Sequence, residues 1–176
     1  PPPSLLSRMP ERVIQMGSFS KILAPGLRLG YIVAPVAIAR KFEQVKQATD
    51  LHTATLTQRA VYEVVKDGFL DEHIPNIRKL YHAQAQAMLG ALEQYMPNSV
   101  TWNQPAGGMF LWLQLPAGVD SEEILEKALA RNVAYVPGVP FYANEPARNT
   151  MRLAFVTVPE DKIREGVKVL GEVFGG

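Results

Sequence analysis

The first third of the chain combines two short apolar runs with two stretches of helical spacing. Residues 12–16 and 31–34 are rich in β-branched and other large apolar side chains, and such runs are typical of short buried strands. After Pro35 the apolar residues recur on one face of a helix. A second amphipathic helix follows, for which Thr53 or Thr55 is the expected N-cap. Residues 1–11, with several prolines, predict an extended lead-in.

The second part of the chain alternates between helices and strands. A long helix is predicted over residues 71–95, after a break at Asp67-Gly68, and Pro75 is compatible with it because it falls in the first turn. Further strands are expected at residues 101–103, 109–113, 134–136 and 151–155, and further helices at 121–131 and 159–173. This order, with an antiparallel hairpin-like region, predicts an α+β layer that has its helices on one face.

Composition narrows the classes of function. The chain has 176 residues, 47% of them hydrophobic and 20% charged, which is typical of a globular protein. A formal charge of +1 without a basic block predicts no nucleic-acid or anionic-membrane partner, and no apolar run reaches the length of a membrane span. The absence of cysteine excludes disulfides and thiolate metal sites, and the three histidines have no metal-ligand spacing. We therefore expect no metal.

The most informative stretch lies between the first two predicted strands. Two hydroxyls, Ser18 and Ser20, stand beside Lys21, and Arg28 follows seven residues later. Hydroxyls and a planar guanidinium are suitable donors to a phosphate group. Pro25-Gly26 supplies a turn that folds Arg28 back towards Lys21. A solvated lysine beside an ordinary loop is the alternative.

The whole stretch resembles the lysine segment of fold type I pyridoxal-phosphate-dependent aminotransferases of class I/II. The nearest resemblance is to the aminoadipate or broad-specificity subgroup, in which Ser-x-Ser-Lys precedes Pro-Gly-x-Arg-x-Gly-Tyr. The resemblance implies that Lys21 forms the Schiff base with the aldehyde of pyridoxal 5'-phosphate. It also implies that Ser18, Ser20 and Arg28 bind the phosphate, and that the freed Lys21 amine moves the substrate α-proton.

A second candidate site lies near the end of the chain. Arg152 stands inside an apolar run, where an arginine needs an anionic partner or a route to water. Its planar fork suits a carboxylate. The family has a carboxylate-binding arginine in an Arg-Leu-x-Phe strand of this type, so the resemblance implies that Arg152 binds the substrate α-carboxylate. The alternative is an edge arginine paired with Glu160 or Asp161.

Two loops also resemble the family. Gly108, within residues 105–110, matches a glycine that allows the backbone to approach the substrate. Residues 136–142 match a Pro-Gly-x-x-Phe loop that lines the pocket. For each loop an ordinary turn is an equally good interpretation.

The resemblance implies an α/β protein, the C-terminal part of a fold type I transferase. Residues 1–70 would end the cofactor-binding large domain, and residues 71–176 would form a small α+β domain joined to it by the long helix. The chain starts Pro1-Pro2-Pro3-Ser4 without methionine, and the family's aspartate and tyrosine that contact the cofactor ring are not recognisable. We therefore expect a piece of a longer enzyme, inactive alone.

The predicted function is transfer of an amino group between an amino acid and a 2-oxo acid, by a cytoplasmic enzyme that is a homodimer at full length. A β-lyase would use the same lysine and arginine. An alternative from another class of protein is the aminotransferase-like domain of a winged-helix transcription regulator. Such a domain has a similar lysine segment and would sense a ligand without turnover. A folded piece that binds no cofactor is the third alternative.

Overall fold

The computed structural model describes residues 3–175 and divides them into two compact units. The first unit ends at Ile77 and the second begins at Arg78. The domain boundary after residue 70 stays a prediction. Pro1 and Pro2, which were included in the extended lead-in, lie outside the described residues.

The lead-in contains one helical turn, α1 (Leu5–Arg8). The prediction of extended chain over residues 1–11 is therefore wrong at this point. Ser4 explains the difference, because its side chain accepts a hydrogen bond from the Ser7 N–H at 3.3 Å and so caps the turn. The cap follows the prolines, so it allows a helix to begin where they end.

Strands β1 (Gln15–Ser18) and β2 (Gly30–Val33) form an antiparallel pair. The two predicted strands are confirmed, with β1 starting three residues later than expected. The prediction that they are buried is wrong: β2 is exposed along its length, and Met16 of β1 is 77% exposed. Within residues 3–175 the pair has no third strand, and a two-stranded ribbon cannot cover its own faces.

Helices α2 (Val36–Thr49) and α3 (Thr55–Val65) confirm the two predicted amphipathic helices. The predicted threonine cap is wrong, because the residue before α3 is Ala54 and no side chain caps the helix. Along the apolar stripe of α3 only Val61 is buried. The spacing of apolar residues therefore predicted the helices, but it did not predict how deeply they are buried.

Helix α4 (Phe69–Tyr95) begins two residues earlier than predicted. Pro75 consequently lies in the helix interior and not in the first turn, which corrects the prediction. Pro75 has no N–H to donate to the carbonyl of Asp71, and its exposed position lets water satisfy that carbonyl. Among the helices of residues 3–175, none has the length together with the apolar character that a bilayer crossing requires.

The second unit is built on a four-stranded antiparallel sheet. Its strands are β3 (Thr101–Trp102), β4 (Phe110–Gln114), β5 (Val136–Pro137) and β6 (Thr150–Ala154). Their spatial order is β3-β4-β6-β5. The helices α5 (Ser121–Leu129) and α6 (Glu160–Gly175) complete the unit together with the second half of α4. All six elements confirm the predictions, with their ends shifted by a few residues.

The core of the second unit lies between one face of this sheet and its helices. Alternate residues of a strand point to opposite faces, so β4 and β6 each contribute two leucine or methionine side chains to the core. Residues from α4, α5 and α6 pack against them. The core members include Leu111, Leu113, Met151, Leu153, Ala87, Leu92, Ala128, Ile163, Val167 and Leu170. The other face of the sheet presents Phe110, Trp112, Val136 and Arg152.

Substitution of Gly171 tests the close approach of α6 to the end of α4. A Cβ added at Gly171 would lie 2.2 Å from the carbonyl oxygen of Tyr95, and a backbone oxygen cannot move aside cheaply. Gly171→Ala is therefore expected to lower the free energy of unfolding by about 1–3 kcal/mol, measured by urea denaturation. Gly90→Ala in α4 is the matched control, since nothing lies within 4 Å of its added Cβ. It is expected to raise stability by about 0.5–1 kcal/mol. Equal stabilities of the two variants would contradict this packing.

Candidate functional site

The loop that carries Lys21 is closed by the strands on either side of it. It runs over residues 19–29, between β1 and β2. Ser18 pairs with Gly30, and the N–H of Phe19 donates to the carbonyl of Leu29 at 3.0 Å. Lys21 is two residues beyond one side of this closure, and Arg28 immediately precedes the other. The backbone therefore brings both cationic residues to the same end of the strand pair.

The predicted turn at Pro25-Gly26 is confirmed as a short 3₁₀ helix, Pro25–Leu27. Arg28 follows it in the left-handed conformation, with φ 49° and ψ 37°, and its N–H donates to the carbonyl of Pro25 at 3.3 Å. This conformation reverses the chain towards β2. A non-glycine residue in this region carries a conformational cost of about 1–2 kcal/mol. The backbone of Arg28 is therefore strained.

The two serines differ in what they bond. The Ser18 Oγ accepts a hydrogen bond from the Ser20 N–H at 3.1 Å, a local serine turn that orders the start of the loop. The hydroxyl proton of Ser18 is still available, because an oxygen that accepts can also donate. The Ser20 hydroxyl has no hydrogen bond to another residue within 3–175. Two hydroxyl donors thus lie within three residues of Lys21 along the chain.

Neither cation of the loop is neutralised internally. Lys21 and Arg28 are exposed, and no carboxylate lies within 4.0 Å of either one in the described part of the chain. Two unpaired cations on one closed loop, with the Ser20 hydroxyl in the loop and the Ser18 hydroxyl at its base, have the donor chemistry that a phosphate requires. The residues present therefore fit the phosphorylated cofactor, and their individual roles stay predictions.

The base of the loop is packed by an aromatic ring that crosses the strands. Tyr31 pairs with Gly17, and a Cβ on Gly17 would lie 2.2 Å from the Cζ atom of Tyr31. The same ring contacts Phe19, with centroids 5.7 Å apart. Gly17 therefore leaves room for the ring that connects the start of the loop to its exit strand. The sequence analysis did not predict this contact. The Gly17-Ser18 and Gly30-Tyr31 pairs at the two ends of the stretch were the signal for it.

Arg152 lies in the second unit, on the face of the sheet opposite its core. It pairs with Trp112 on one side and with Val136 on the other. Its guanidinium carbon lies 4.0 Å from the ring centroid of Phe110 and 4.8 Å from that of Phe141. Both distances are within the range of cation–π interaction, about 6 Å. Sequence reasoning missed these rings, although strand alternation places Phe110 and Trp112 on the same face as Arg152.

The alternative interpretation of Arg152, an edge arginine in an ion pair, is not observed, since β6 has a neighbouring strand on each side. Among the described residues neither Glu160 nor Asp161 lies within 4.0 Å of its guanidinium, and Glu160 pairs instead with Arg164 at 3.8 Å. Arg152 is half-buried and keeps its N–H donors free of protein carboxylates. Its predicted contact with a substrate carboxylate is chemically suited to this setting and stays a prediction.

The two loops that resemble the family have local reasons for their glycines. Gly108 has φ +94°, a conformation that favours glycine, and it is exposed. Its proposed nearness to substrate stays a prediction beside this backbone reason. Gly138 is buried, its N–H donates to the Thr150 carbonyl at 2.7 Å, and a Cβ there would meet the Thr150 side chain at 2.0 Å. This contact holds the start of the 3₁₀ turn that carries Phe141.

Polar contacts on α5 support the same unit. Arg148 binds the carboxylates of Asp120 and Glu122 at the start of the helix. The hydrogen bond from Arg148 lowers the pKa of Asp120 below its ordinary value, with the Glu122 N–H acting in the same direction. Burial raises the pKa of Tyr135 to about 12, and its hydroxyl donates to the Ser121 carbonyl at 2.6 Å. These contacts are structural, and none of them involves the Arg152 side chain.

The left-handed backbone of Arg28 gives a testable consequence. Arg28→Gly and Arg28→Ala remove the same charge, but glycine adopts positive φ without the clash that a Cβ causes. Arg28→Gly is therefore expected to be more stable than Arg28→Ala by about 1 kcal/mol. Thermal unfolding of the two variants measures the difference. An alanine variant as stable as the glycine variant would contradict the left-handed geometry.

Comparison with known proteins finds aminotransferases similar to this chain. The chain is 53% identical over 161 residues to an aromatic-amino-acid aminotransferase of Thermococcus litoralis, a match that covers 92% of this chain and 39% of the relative. The solved structure of an alpha-aminoadipate aminotransferase from Thermus thermophilus, complexed with N-(5'-phosphopyridoxyl)-L-leucine, is 44% identical with a TM-score of 0.92. That match covers 98% of this chain and 44% of the solved chain. The chain thus spans about two fifths of each.

A transcriptional regulator is also related. The HTH-type regulator YdfD of Bacillus subtilis is 31% identical over 159 residues, which are 90% of this chain and 33% of the regulator. Its similarity is lower than that of the two aminotransferases.

The family model described as aminotransferase class I and II matches residues 2–170. The chain belongs to the class I and II aminotransferase family, whose cofactor is pyridoxal 5'-phosphate.

Proposed function

We propose that this chain is part of an aminotransferase that transfers an amino group between an amino acid and a 2-oxo acid. The loop with Lys21 is the observation that carries the proposal. It supplies an exposed amine and a guanidinium without carboxylate partners among the described residues, beside two serine hydroxyls. Family membership and identities near 50% to named aminotransferases support the same reaction class.

Four residues in and beside the loop share two roles in the proposal. Ser18, Ser20 and Arg28 would hold the cofactor phosphate, and the Lys21 amine would hold the cofactor through its aldehyde carbon. When bound, the cofactor supplies the electron sink that a protein side chain cannot. The Lys21 amine, freed when the amino group of the substrate takes its place, would move the α-proton of the substrate as a general base and acid. The closure of the loop at Phe19 and Leu29 limits how far these groups can separate.

Arg152 orients the substrate in this proposal. Its guanidinium fork presents N–H donors that match a planar carboxylate. No protein carboxylate within residues 3–175 competes for it. Binding the α-carboxylate there would restrict rotation of the amino acid, so that the bond to the α-proton has a defined direction. Gly108 is proposed to border the substrate side chain.

A ligand-sensing regulator domain is the second candidate. It is favoured by one observation, the 31% identity to an HTH-type transcriptional regulator. Such a domain would use the same loop to bind the cofactor without completing a reaction. The higher identity to aminotransferases favours catalysis. Steady-state formation of a 2-oxo acid from an amino acid separates the two candidates.

We further propose that the protein at full natural length is a cytoplasmic homodimer. Homodimers with sites at the subunit interface are the expectation for this family. Large apolar side chains of the first unit are exposed in the single chain, including Met16, Phe42 and Leu56. Such side chains are available for burial against further protein, which supports association without identifying the partner.

Covalent attachment of the cofactor tests the role of Lys21. Pyridoxal 5'-phosphate added to the protein at full natural length is expected to give a visible absorbance band that Lys21→Ala loses. Lys41→Ala is the control, because Lys41 is another exposed lysine, on α2, with a side-chain contact to Gln44. It is expected to keep the band. Equal spectra for all three proteins would remove the assignment of Lys21.

Loss of the guanidinium tests the role of Arg152. Arg152→Ala is expected to keep the cofactor band and to raise KM for the amino acid by roughly 10- to 100-fold, because a charge-assisted hydrogen-bond pair to the carboxylate is removed. Arg164→Ala is the control, since Arg164 lies on α6 and contacts Glu160. An unchanged KM in Arg152→Ala would refute the carboxylate role.

A further inference from the structure

We propose that Phe110 and Phe141 are positioning residues that hold the guanidinium of Arg152 in the orientation in which it meets a substrate carboxylate. The inference rests on the proposed role of Arg152 and adds the means by which that side chain is kept in place. Neither ring is assigned to substrate or cofactor by it. The two rings act through the arginine.

The two rings reach Arg152 from different elements of the sheet. Phe110 is the first residue of β4, which is hydrogen-bonded to β6 along one side. Phe141 ends the 3₁₀ turn that follows β5, the neighbour of β6 along its other side. The guanidinium carbon lies over both rings, 4.0 Å and 4.8 Å from their centroids. The contact is therefore built by the pairing of three strands and not by residues adjacent in sequence.

The position of Phe141 is itself supported. Its ring meets Trp112 edge-on, with centroids 5.4 Å apart and planes at 88°. Such an edge-to-face arrangement is a favoured geometry for aromatic pairs. Trp112 pairs directly with Arg152 across β4 and β6. The residue that lies opposite the arginine therefore holds one of the rings that contact it.

Aromatic rings are better suited to this task than a carboxylate would be. An aspartate or glutamate would also fix the guanidinium, but it would occupy the N–H donors and neutralise the charge that a substrate needs. A ring attracts the cation through its π-face and takes no N–H bond in the plane of the guanidinium. Arg152 has no carboxylate within 4.0 Å in residues 3–175. Its donors thus stay available while the side chain is restrained.

Restraint of the Arg152 side chain should raise its affinity for a carboxylate. An arginine that is free in the unbound state loses rotamer freedom when it binds, and prior ordering by the rings reduces that loss. Removing one ring should therefore weaken carboxylate binding by roughly 3- to 30-fold, the range of a single cation–π contact. Chemistry at Lys21 should change less, because no atom of either ring is assigned to it.

The experiment compares leucine and tyrosine at each position in the holoenzyme of full natural length. Phe110→Leu and Phe141→Leu are expected to raise KM for the amino acid roughly 3- to 30-fold, with the cofactor absorbance band intact and kcat less affected. Phe110→Tyr and Phe141→Tyr keep the ring and are expected to restore KM. Phe110 is 37% and Phe141 48% exposed, so neither leucine variant leaves a closed cavity that would threaten folding.

Phe174→Leu is the structural control. Phe174 lies in α6 and contacts Tyr135 with ring centroids 6.2 Å apart, so its loss should lower stability and leave KM unchanged. Leucine variants with the KM of the wild type would overturn the inference, and so would tyrosine variants that fail to restore KM. Arg152→Ala measured in parallel separates the failures: if it raises KM while the leucine variants do not, only the positioning role is wrong. If Arg152→Ala leaves KM unchanged, the carboxylate role itself is wrong.

Discussion

The candidate site depends on the antiparallel hydrogen bonds that pair β1 with β2. These bonds set Ser18 opposite Gly30 and connect Phe19 to Leu29. Without them the loop between the strands would be an open chain of eleven residues, numbers 19–29, free to separate its lysine from its arginine. With them, Lys21 and Arg28 both lie close to one closure. A simple backbone constraint therefore gathers the charged groups that the proposed chemistry needs.

A common feature links the two candidate anion-binding groups, one in each compact unit. Arg28 and Arg152 both lack a carboxylate partner within 4.0 Å among residues 3–175, as do five other arginines, whereas Arg131 and Arg164 each have one and Arg148 has two. Arg131 and Arg148 connect different segments of the chain, whereas the Arg164 pair lies within α6. The left-handed backbone conformation places Arg28, and two aromatic rings contact the guanidinium of Arg152. In each case the charge is positioned by means that leave its hydrogen-bond donors for a ligand.

Sequence was informative where the signal is local. Helical spacing identified α2, α3, α4 and α6, and the order of residues in the lysine stretch predicted both its loop and its turn. Helix ends were less certain, because a shift of two residues in α4 moves Pro75 from the first turn into the interior. Burial of β1 and β2 was predicted wrongly, since burial depends on neighbouring elements and not on the strand's own residues.

Contacts between distant parts of the chain were beyond local reasoning. The rings around Arg152 depend on the register of β4 against β6, which pairs Trp112 with a residue forty positions later. The need for glycine at position 171 depends on where α6 crosses the carbonyl of Tyr95. Family resemblance supplied roles for Lys21 and Arg152 that the pattern of apolar residues alone does not contain. The geometry adds the features that hold those residues in place.

Identification of the amine that binds the cofactor tests the central claim most directly. Borohydride reduction of the protein loaded with pyridoxal 5'-phosphate fixes the attachment permanently, and peptide mass mapping then locates the pyridoxyl group. The account predicts a single modified residue, Lys21. A label spread over exposed lysines such as Lys41 and Lys46, with Lys21 unmodified, would contradict it.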